Sequence, residues 1–188
     1  MAGNDVLMLV EGMPWIAEGV ERRLPLHRIW RAADPERALA KLAPTIRAIA
    51  APWHTAPVTA ELMRRMPKLE IVASFGVGYD HVDAAWAGKH GIIVTHTPGV
   101  LDDEVADLAM GLTIAAVRQL PQAERHLRAG LWPKGPYPLS ASLSGRTMGI
   151  LGLGRIGKQI ATRARAFGIE VVYHGRKAQP GAPFRAAG

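Results

Sequence analysis

Short apolar runs alternate with stretches of helical periodicity along the N-terminal half of the chain. The runs that predict strands lie at residues 6–10, 27–30, 46–51, 69–74 and 92–95. Strands that alternate with helices are typical of a parallel sheet with helices on both faces, joined by right-handed crossovers. We therefore predict that residues 1–98 form one flavodoxin-like α/β domain.

Local start signals mark two of the predicted helices. Asp34 precedes Pro35, so a side chain that favours the N-cap stands before a proline at the first helical position. Asp80 precedes the fourth helix and Asp83 follows three residues later, as in a capping box. These signals predict helices that begin at residues 35 and 81.

The sequence Thr97-Pro98-Gly99 interrupts the pattern, and we predict that a second domain, residues 99–188, begins there. Apolar residues then recur at helical spacing towards Gln119. Pro121 either kinks this helix or begins a second one. Residues 130–138 form an arm rich in aromatic residues and proline. A packing surface against a second subunit and a plain surface loop both remain open for this arm.

A glycine-rich turn in the second domain separates a strand-like run from a helical run. The first strand is predicted over residues 147–151, the helix over 156–167 and the next strand over 169–173. The turn reads G-x-G-x-x-G, with its glycines at Gly152, Gly154 and Gly157. Within a βαβ unit this pattern is typical of dinucleotide binding, whereas the pattern alone is weak evidence for it. We therefore predict the first βαβ unit of a Rossmann domain.

Five of the six residues of the turn have a physical role in this hypothesis. Gly152 permits the tight turn, Gly154 lets the backbone approach a pyrophosphate, and Gly157 lets the helix lie close to the strand. Arg155 and Ile156 would present the free N–H groups of the helix N-terminus to the phosphates.

The end of the second strand indicates which dinucleotide is bound. An NAD-binding site is expected to have Asp or Glu there, to bond the ribose 2′-hydroxyl. Glu170 opens the strand and is too early, whereas Arg176 and Lys177 follow the strand. A guanidinium fork and a second cation suit a 2′-phosphate. We predict NADP (NADPH) over NAD; the alternative is that both cations are solvated loop charges.

Composition narrows the classes of partner. The 188 residues carry a net charge of +7 and no cysteine, which excludes disulfides and thiolate sites and fits a cytoplasmic protein. Lysine and arginine are scattered and not interleaved with aromatics, so we expect no nucleic-acid partner. No apolar run approaches the roughly 18 residues that span a bilayer, and no metal-binding pattern occurs. We therefore expect neither a membrane partner nor a metal.

Three motifs stand in order along the chain: S-F-G-V-G-Y-D-H-V-D at 74–83, T-P-G-V-L-D-D-E-V-A-D at 97–107 and G-L-G-R-I-G at 152–157. Together they resemble the D-isomer-specific 2-hydroxyacid dehydrogenases, and most of all the glyoxylate/hydroxypyruvate reductase branch. The resemblance implies a substrate domain, then a nicotinamide-cofactor domain, usually in a homodimer. It also implies reduction of a small 2-keto acid to the D-2-hydroxy acid.

The resemblance further implies which residues touch the substrate. The backbone N–H groups of Val77 and Gly78 would hold its carboxylate, at the carboxyl end of a strand where open α/β sheets bind ligands. The other interpretation is a strand end that needs glycine only to turn. His54, in the loop after the third strand, is a further candidate for lining the substrate cleft.

The catalytic Arg, Glu and His of the resembled family lie later than residue 188. We therefore assign no catalytic residue and expect the N-terminal portion of an enzyme, truncated after two strands of its cofactor domain and inactive by itself. The alternative is a catalytically dead nucleotide-binding or interaction protein of the same fold, as in the family's corepressor branch.

Overall fold

The structure, a computed structural model, describes residues 4–52, 56–177 and 179–186. The chain divides into two compact units, Met1–Pro98 and Gly99–Gly188. Each unit is an α/β unit with its own parallel sheet and its own hydrophobic core.

The first unit contains a five-stranded parallel sheet in the order β2-β1-β3-β4-β5. Its strands are β1 (Asp5–Met8), β2 (Leu26–Arg28), β3 (Ile46–Ala51), β4 (Ile71–Ser74) and β5 (Ile93–Thr95). Its helices are α1 (Pro14–Glu21), α2 (Pro35–Leu42), α3 (Ala60–Arg64) and α4 (Ala84–Lys89). This order is the flavodoxin-like one, so the predicted fold class of this unit is confirmed.

Alternation along the strands divides the core of the first unit between the two faces of the sheet. Leu7, Ile49 and Val72 are fully buried in the larger cluster, together with residues of α2, α3 and α4. Val6 and Met8 pack in a smaller cluster against α1. Ile93, in the edge strand β5, belongs to neither cluster and is 60% exposed.

Side-chain caps define the beginnings of three of these helices. The Asp34 carboxylate accepts a hydrogen bond from the Arg37 backbone N–H at 3.0 Å, as the sequence predicts. The expected cap at Asp80 is wrong, because α4 begins after Asp83, whose Oδ1 accepts from the Trp86 N–H at 3.4 Å. Thr59 caps α3 in the same way.

The second unit begins with two helices and continues as a parallel β/α unit. Its elements are α5 (Asp102–Val117), α6 (Leu120–Arg128), β6 (Thr147–Leu151), α7 (Arg155–Ala166), β7 (Glu170–His174) and β8 (Arg185–Ala186). Gln119, with φ +54°, separates α5 from α6, so Pro121 stands in the first turn of a second helix. The predicted βαβ unit is confirmed.

The expected limit of two strands in the second sheet is wrong. A short third strand, β8, pairs in parallel with β7, and the sheet has the order β6-β7-β8. No sequence pattern predicts β8, because only two of its residues pair, at the end of a segment rich in glycine, proline and alanine.

Helices α5 and α7 pack together beside this sheet. Ala161 and Ala164 of α7 are fully buried, and Met110 of α5 joins the same core. The guanidinium of Arg163 bonds the carboxylates of Asp103 at 2.9 Å and Asp107 at 2.5 Å. These hydrogen bonds raise the pKa of Arg163 above its ordinary value, so α7 is tied to the first turns of α5 by a permanent charge.

Candidate functional site

A cleft of about 650 Å³ opens beside the glycine turn of the second unit. It is lined by Gly152, Leu153, Gly154, Gly175, Arg176, Lys177 and Gln179. The Gly152 N–H donates to the His174 carbonyl at 2.8 Å, which joins the turn to the end of β7. The residues that follow β7 therefore lie beside the turn. Two of the three predicted glycines, Gly152 and Gly154, and both predicted cations line one cleft, whereas Gly157 is not part of its lining.

The three glycines of the turn differ in what a side chain would meet. Gly152 has φ +95°, a left-handed conformation that glycine adopts without strain. A Cβ on Gly157 would lie 2.3 Å from the carbonyl oxygen of Gly152, so α7 approaches the turn at backbone contact. A Cβ on Gly154 would meet no atom within 4 Å. Its missing side chain thus leaves open space at a residue that lines the cleft.

The N-terminus of α7 lies at the same turn. The helix begins at Arg155 and runs for 12 residues, and Gly154 at its N-cap offers no side chain to its free amides. Lys158 is the first residue whose N–H reaches an intrahelical carbonyl, that of Gly154, at 3.0 Å. The amides of Arg155, Ile156 and Gly157 therefore have no partner within the helix and carry its positive dipole end.

The charges of this cleft are all positive. Arg176 and Lys177 are exposed on its rim, and its described lining contains no Asp or Glu. Glu170 lies at the opposite end of β7 and pairs with Arg185 at 3.4 Å. The cleft thus offers donors and cations to an anion and no carboxylate to a ribose hydroxyl.

Gln179 lines this cleft and was not predicted from the sequence. The Gln179 side chain donates from Nε2 to the Leu153 carbonyl at 2.6 Å, and its backbone N–H donates to the Tyr173 hydroxyl at 3.0 Å. Tyr173 is buried, and a buried phenol usually has a hydrogen-bond partner. The sequence therefore indicates that the Tyr173 hydroxyl needs a partner. No periodicity in the sequence predicts that the segment after β7 folds back so that Gln179 supplies it.

The first unit has a second candidate site in the loop of residues 75–80, which follows β4. The Gly76 carbonyl accepts the Thr97 N–H at 2.9 Å, and the Val77 carbonyl accepts a hydrogen bond from His96 Nδ1 at 2.8 Å. Within the described ranges, no group accepts a hydrogen bond from the N–H of Val77 or Gly78. This loop at the carboxyl end of β4 therefore offers two consecutive backbone donors to an anion.

The histidines differ in how far the structure supports a role in chemistry. His54 lies outside the described residues. His27 bonds the carboxylate of Asp5 at 2.7 Å. That pair lies between β1 and β2, and Asp5 opens its strand, away from the carboxyl ends where ligands bind. Among residues that the structure describes, no three His, Asp or Glu side chains form a metal-binding group.

No helix in the described part of the chain has the length and apolar character needed to cross a bilayer.

Comparisons with known proteins add independent information. Residues 12–180 match the family described as D-isomer specific 2-hydroxyacid dehydrogenase, catalytic domain. The chain is 39% identical over 180 residues to a hydroxyphenylpyruvate reductase of Plectranthus scutellarioides, and 38% identical over 185 residues to a glyoxylate/hydroxypyruvate reductase A of Arabidopsis thaliana. These alignments cover 96% and 98% of this chain but only 57% and 59% of the relatives.

Solved structures give the same result. A 2-hydroxyacid dehydrogenase of Ketogulonicigenium vulgare superposes with a TM-score of 0.90 at 35% identity, over 100% of this chain and 59% of that one. The NADPH-dependent glyoxylate/hydroxypyruvate reductase of Sinorhizobium meliloti in complex with citrate gives 0.84 at 43% identity, over 97% and 57%. The chain therefore belongs to the D-isomer specific 2-hydroxyacid dehydrogenases and spans somewhat more than half the length of these relatives.

Proposed function

We propose that this chain is the N-terminal portion of an NADPH-dependent reductase that converts a small 2-keto acid to the D-2-hydroxy acid. In this proposal residues 1–98 bind the substrate and residues 99–188 form the first part of the cofactor domain. The observation that carries the proposal is the cleft in which a glycine turn, a helix N-terminus and two cations meet without a carboxylate.

The dinucleotide would be held by backbone and side chain in different ways. The N–H groups of Arg155 and Ile156 would bond the pyrophosphate, with Gly154 leaving room for it. Arg176 would bond the 2′-phosphate with its fork, and Lys177 would add charge. Once bound, NADPH supplies the hydride that reduces the keto carbon. A solved structure of the Sinorhizobium meliloti reductase contains NADP and malonate, which supports the choice of cofactor.

The substrate would be recognised by its carboxylate. The N–H groups of Val77 and Gly78 are available to a pair of carboxylate oxygens, and His54 stays a predicted neighbour of the substrate. Glyoxylate and hydroxypyruvate are the substrates that we propose first, because relatives are glyoxylate and hydroxypyruvate reductases. The relative that is a hydroxyphenylpyruvate reductase makes an aryl 2-keto acid the natural competitor in a binding test.

The 188-residue chain by itself is proposed to bind these ligands without reducing them. The family resemblance places the catalytic Arg, Glu and His beyond residue 188, and we assign their roles to none of the described residues. We also propose a homodimer for the whole enzyme, because α5 exposes Leu108 and Leu112 to 62% and 63%. A cytoplasmic location remains a prediction of the sequence.

Calorimetric titration of the purified chain tests the proposal. We expect NADPH to bind more tightly than NADH, and glyoxylate or hydroxypyruvate to bind more tightly than 4-hydroxyphenylpyruvate. Acetate, which has the carboxylate without the keto group, serves as the control ligand. A chain that binds neither dinucleotide would contradict the proposal, and preference for NADH would contradict its choice of cofactor.

A further inference from the structure

The segment that follows β5 fixes the loop of residues 75–80 from one side. The Thr97 N–H bonds the Gly76 carbonyl at 2.9 Å, and the His96 imidazole bonds the Val77 carbonyl at 2.8 Å. Because a carbonyl oxygen can only accept, Nδ1 of His96 must carry the proton of this bond. Two consecutive peptide carbonyls are thus bound by two consecutive residues, one through its backbone and one through its side chain.

These two bonds determine where the free amides point. The Gly76 carbonyl and the Val77 N–H belong to one planar trans peptide unit, and the Val77 carbonyl and the Gly78 N–H belong to the next. In each unit the carbonyl and the N–H point in opposite directions. Bonds on the carbonyl side therefore direct both N–H groups away from His96 and Thr97. Such a bond also polarises the amide and makes its N–H a better donor.

We propose that His96 is a positioning residue for the substrate carboxylate, an inference that rests on the proposed function of the loop. Its Nδ1–H fixes the peptide unit whose other end is the Gly78 N–H. The Tyr79 ring packs edge-on against the His96 ring, with centroids 4.9 Å apart, and restrains the imidazole. His96 does not touch the substrate and acts through the Val77–Gly78 peptide.

Side-chain geometry supplies variants that separate this role from mere packing. Asn has its amide nitrogen at the same distance from Cβ as His Nδ1, so His96→Asn keeps a donor to the Val77 carbonyl. His96→Ala removes the donor, and His96→Gln moves it one bond farther away. His90 provides the matched control, because its Nδ1 bonds the Trp86 carbonyl at the same distance of 2.8 Å, at the C-cap of α4 and outside the loop.

The test is titration of the ¹⁵N-labelled 188-residue protein with sodium glyoxylate, followed by the amide resonances of Val77 and Gly78. We expect the glyoxylate Kd to rise by about fivefold or more in His96→Ala and His96→Gln, as loss of one hydrogen bond implies. His96→Asn and His90→Ala are expected to bind glyoxylate with the Kd of the wild type. Without ligand, the Gly78 amide resonance should move in His96→Ala and not in His90→Ala.

Two different failures are distinguishable. If glyoxylate shifts the Val77 and Gly78 amide resonances with the same Kd in the wild type, His96→Ala and His96→Gln, the positioning role is overturned while the carboxylate site stands. If glyoxylate leaves the Val77 and Gly78 resonances of the wild type unmoved, the proposed carboxylate site is overturned and the role of His96 falls with it. His96→Gln provides the comparison should His96→Ala lose its folded spectrum.

Discussion

At the residue scale, the glycine turn shows that one motif contains three separate physical requirements. Gly152 is required by its positive φ and Gly157 by the carbonyl oxygen that a side chain would strike. Neither condition applies to Gly154, which lines the cleft and where an added Cβ would meet no atom within 4 Å. Substitution at Gly154 would therefore affect ligand binding, whereas substitution at Gly157 would first displace the chain's own backbone.

Gly157→Ala tests this distinction through a steric clash. The added Cβ would lie 2.3 Å from the Gly152 carbonyl oxygen, so α7 and the turn must move apart. We expect destabilisation by about 1–3 kcal/mol, as overpacking commonly causes, and a clear loss of NADPH affinity. Urea unfolding and calorimetry measure the two effects. Gly149→Ala in β6 is the control, since its Cβ meets nothing within 4 Å; equal effects of both variants would refute the argument.

Arg176 decides the choice between the two dinucleotides in the proposed function. Its guanidinium stands on the rim of the cleft, and only NADPH offers the 2′-phosphate that it would bond. We expect Arg176→Ala to lower the affinity for NADPH by about tenfold or more, as loss of a charge-assisted bond of about 1.5–3 kcal/mol implies. The affinity for NADH should change little. Arg125→Ala, on exposed α6, should change neither affinity in calorimetry. Equal losses for both dinucleotides would show that Arg176 is a solvated charge.

At the element scale, helix beginnings are encoded locally but can be ambiguous by a few residues. Asp34 and Pro35 form an unambiguous signal, and α2 begins there. Asp80 and Asp83 are both good N-cap residues, and the sequence analysis chose the wrong one. The choice depends on tertiary contacts. The Val58 N–H donates to the His81 carbonyl, and the Val58 carbonyl accepts from the Asp83 N–H, so Val82 forms a parallel bridge with Val58. The helix can therefore begin only after this bridge.

Paired substitutions test which aspartate caps α4. Asp83→Ala removes the acceptor of the Trp86 N–H, so we expect it to lower the free energy of unfolding by about 1 kcal/mol. Asp80→Ala removes a similar charge from the preceding turn and serves as the control, with little expected change. Urea unfolding followed by circular dichroism compares them. A larger loss in Asp80→Ala would restore the cap that the sequence alone suggested.

At the scale of the whole molecule, periodicity and connection rules suffice for most of the architecture. Short apolar runs located the strands of both sheets except β8, and right-handed crossovers limited the possible order of the strands. The site is predictable only where chemistry is local, as in the glycine turn. His96 and Gln179 act through contacts between segments distant in sequence, to the Val77 and Leu153 carbonyls, and no pattern within either segment encodes those contacts.

Helix α5 has two sets of apolar residues, one buried and one exposed, and the exposed set is relevant to the proposed homodimer. Ala106 and Met110 face the core of their unit, whereas a second stripe is exposed: Leu101, Val105, Leu108 and Leu112. A contiguous exposed apolar stripe commonly marks an interaction surface, so this one suits a second copy of the chain. The proposed homodimer would bury it.

Leu112→Glu tests the homodimer, because a charge within a buried apolar stripe is costly unless it is paired. We expect the wild-type chain to sediment as a dimer and the variant to shift towards monomer, with at least a tenfold weaker association, or about 1.4 kcal/mol. Ala40→Glu adds the same charge on an exposed position of α2 and controls for net charge. Analytical ultracentrifugation over a concentration series measures all three. A Leu112→Glu dimer as tight as that of Ala40→Glu would mean that α5 does not form the interface, and a wild-type chain that is monomeric throughout would mean that residues 1–188 alone do not sustain the dimer.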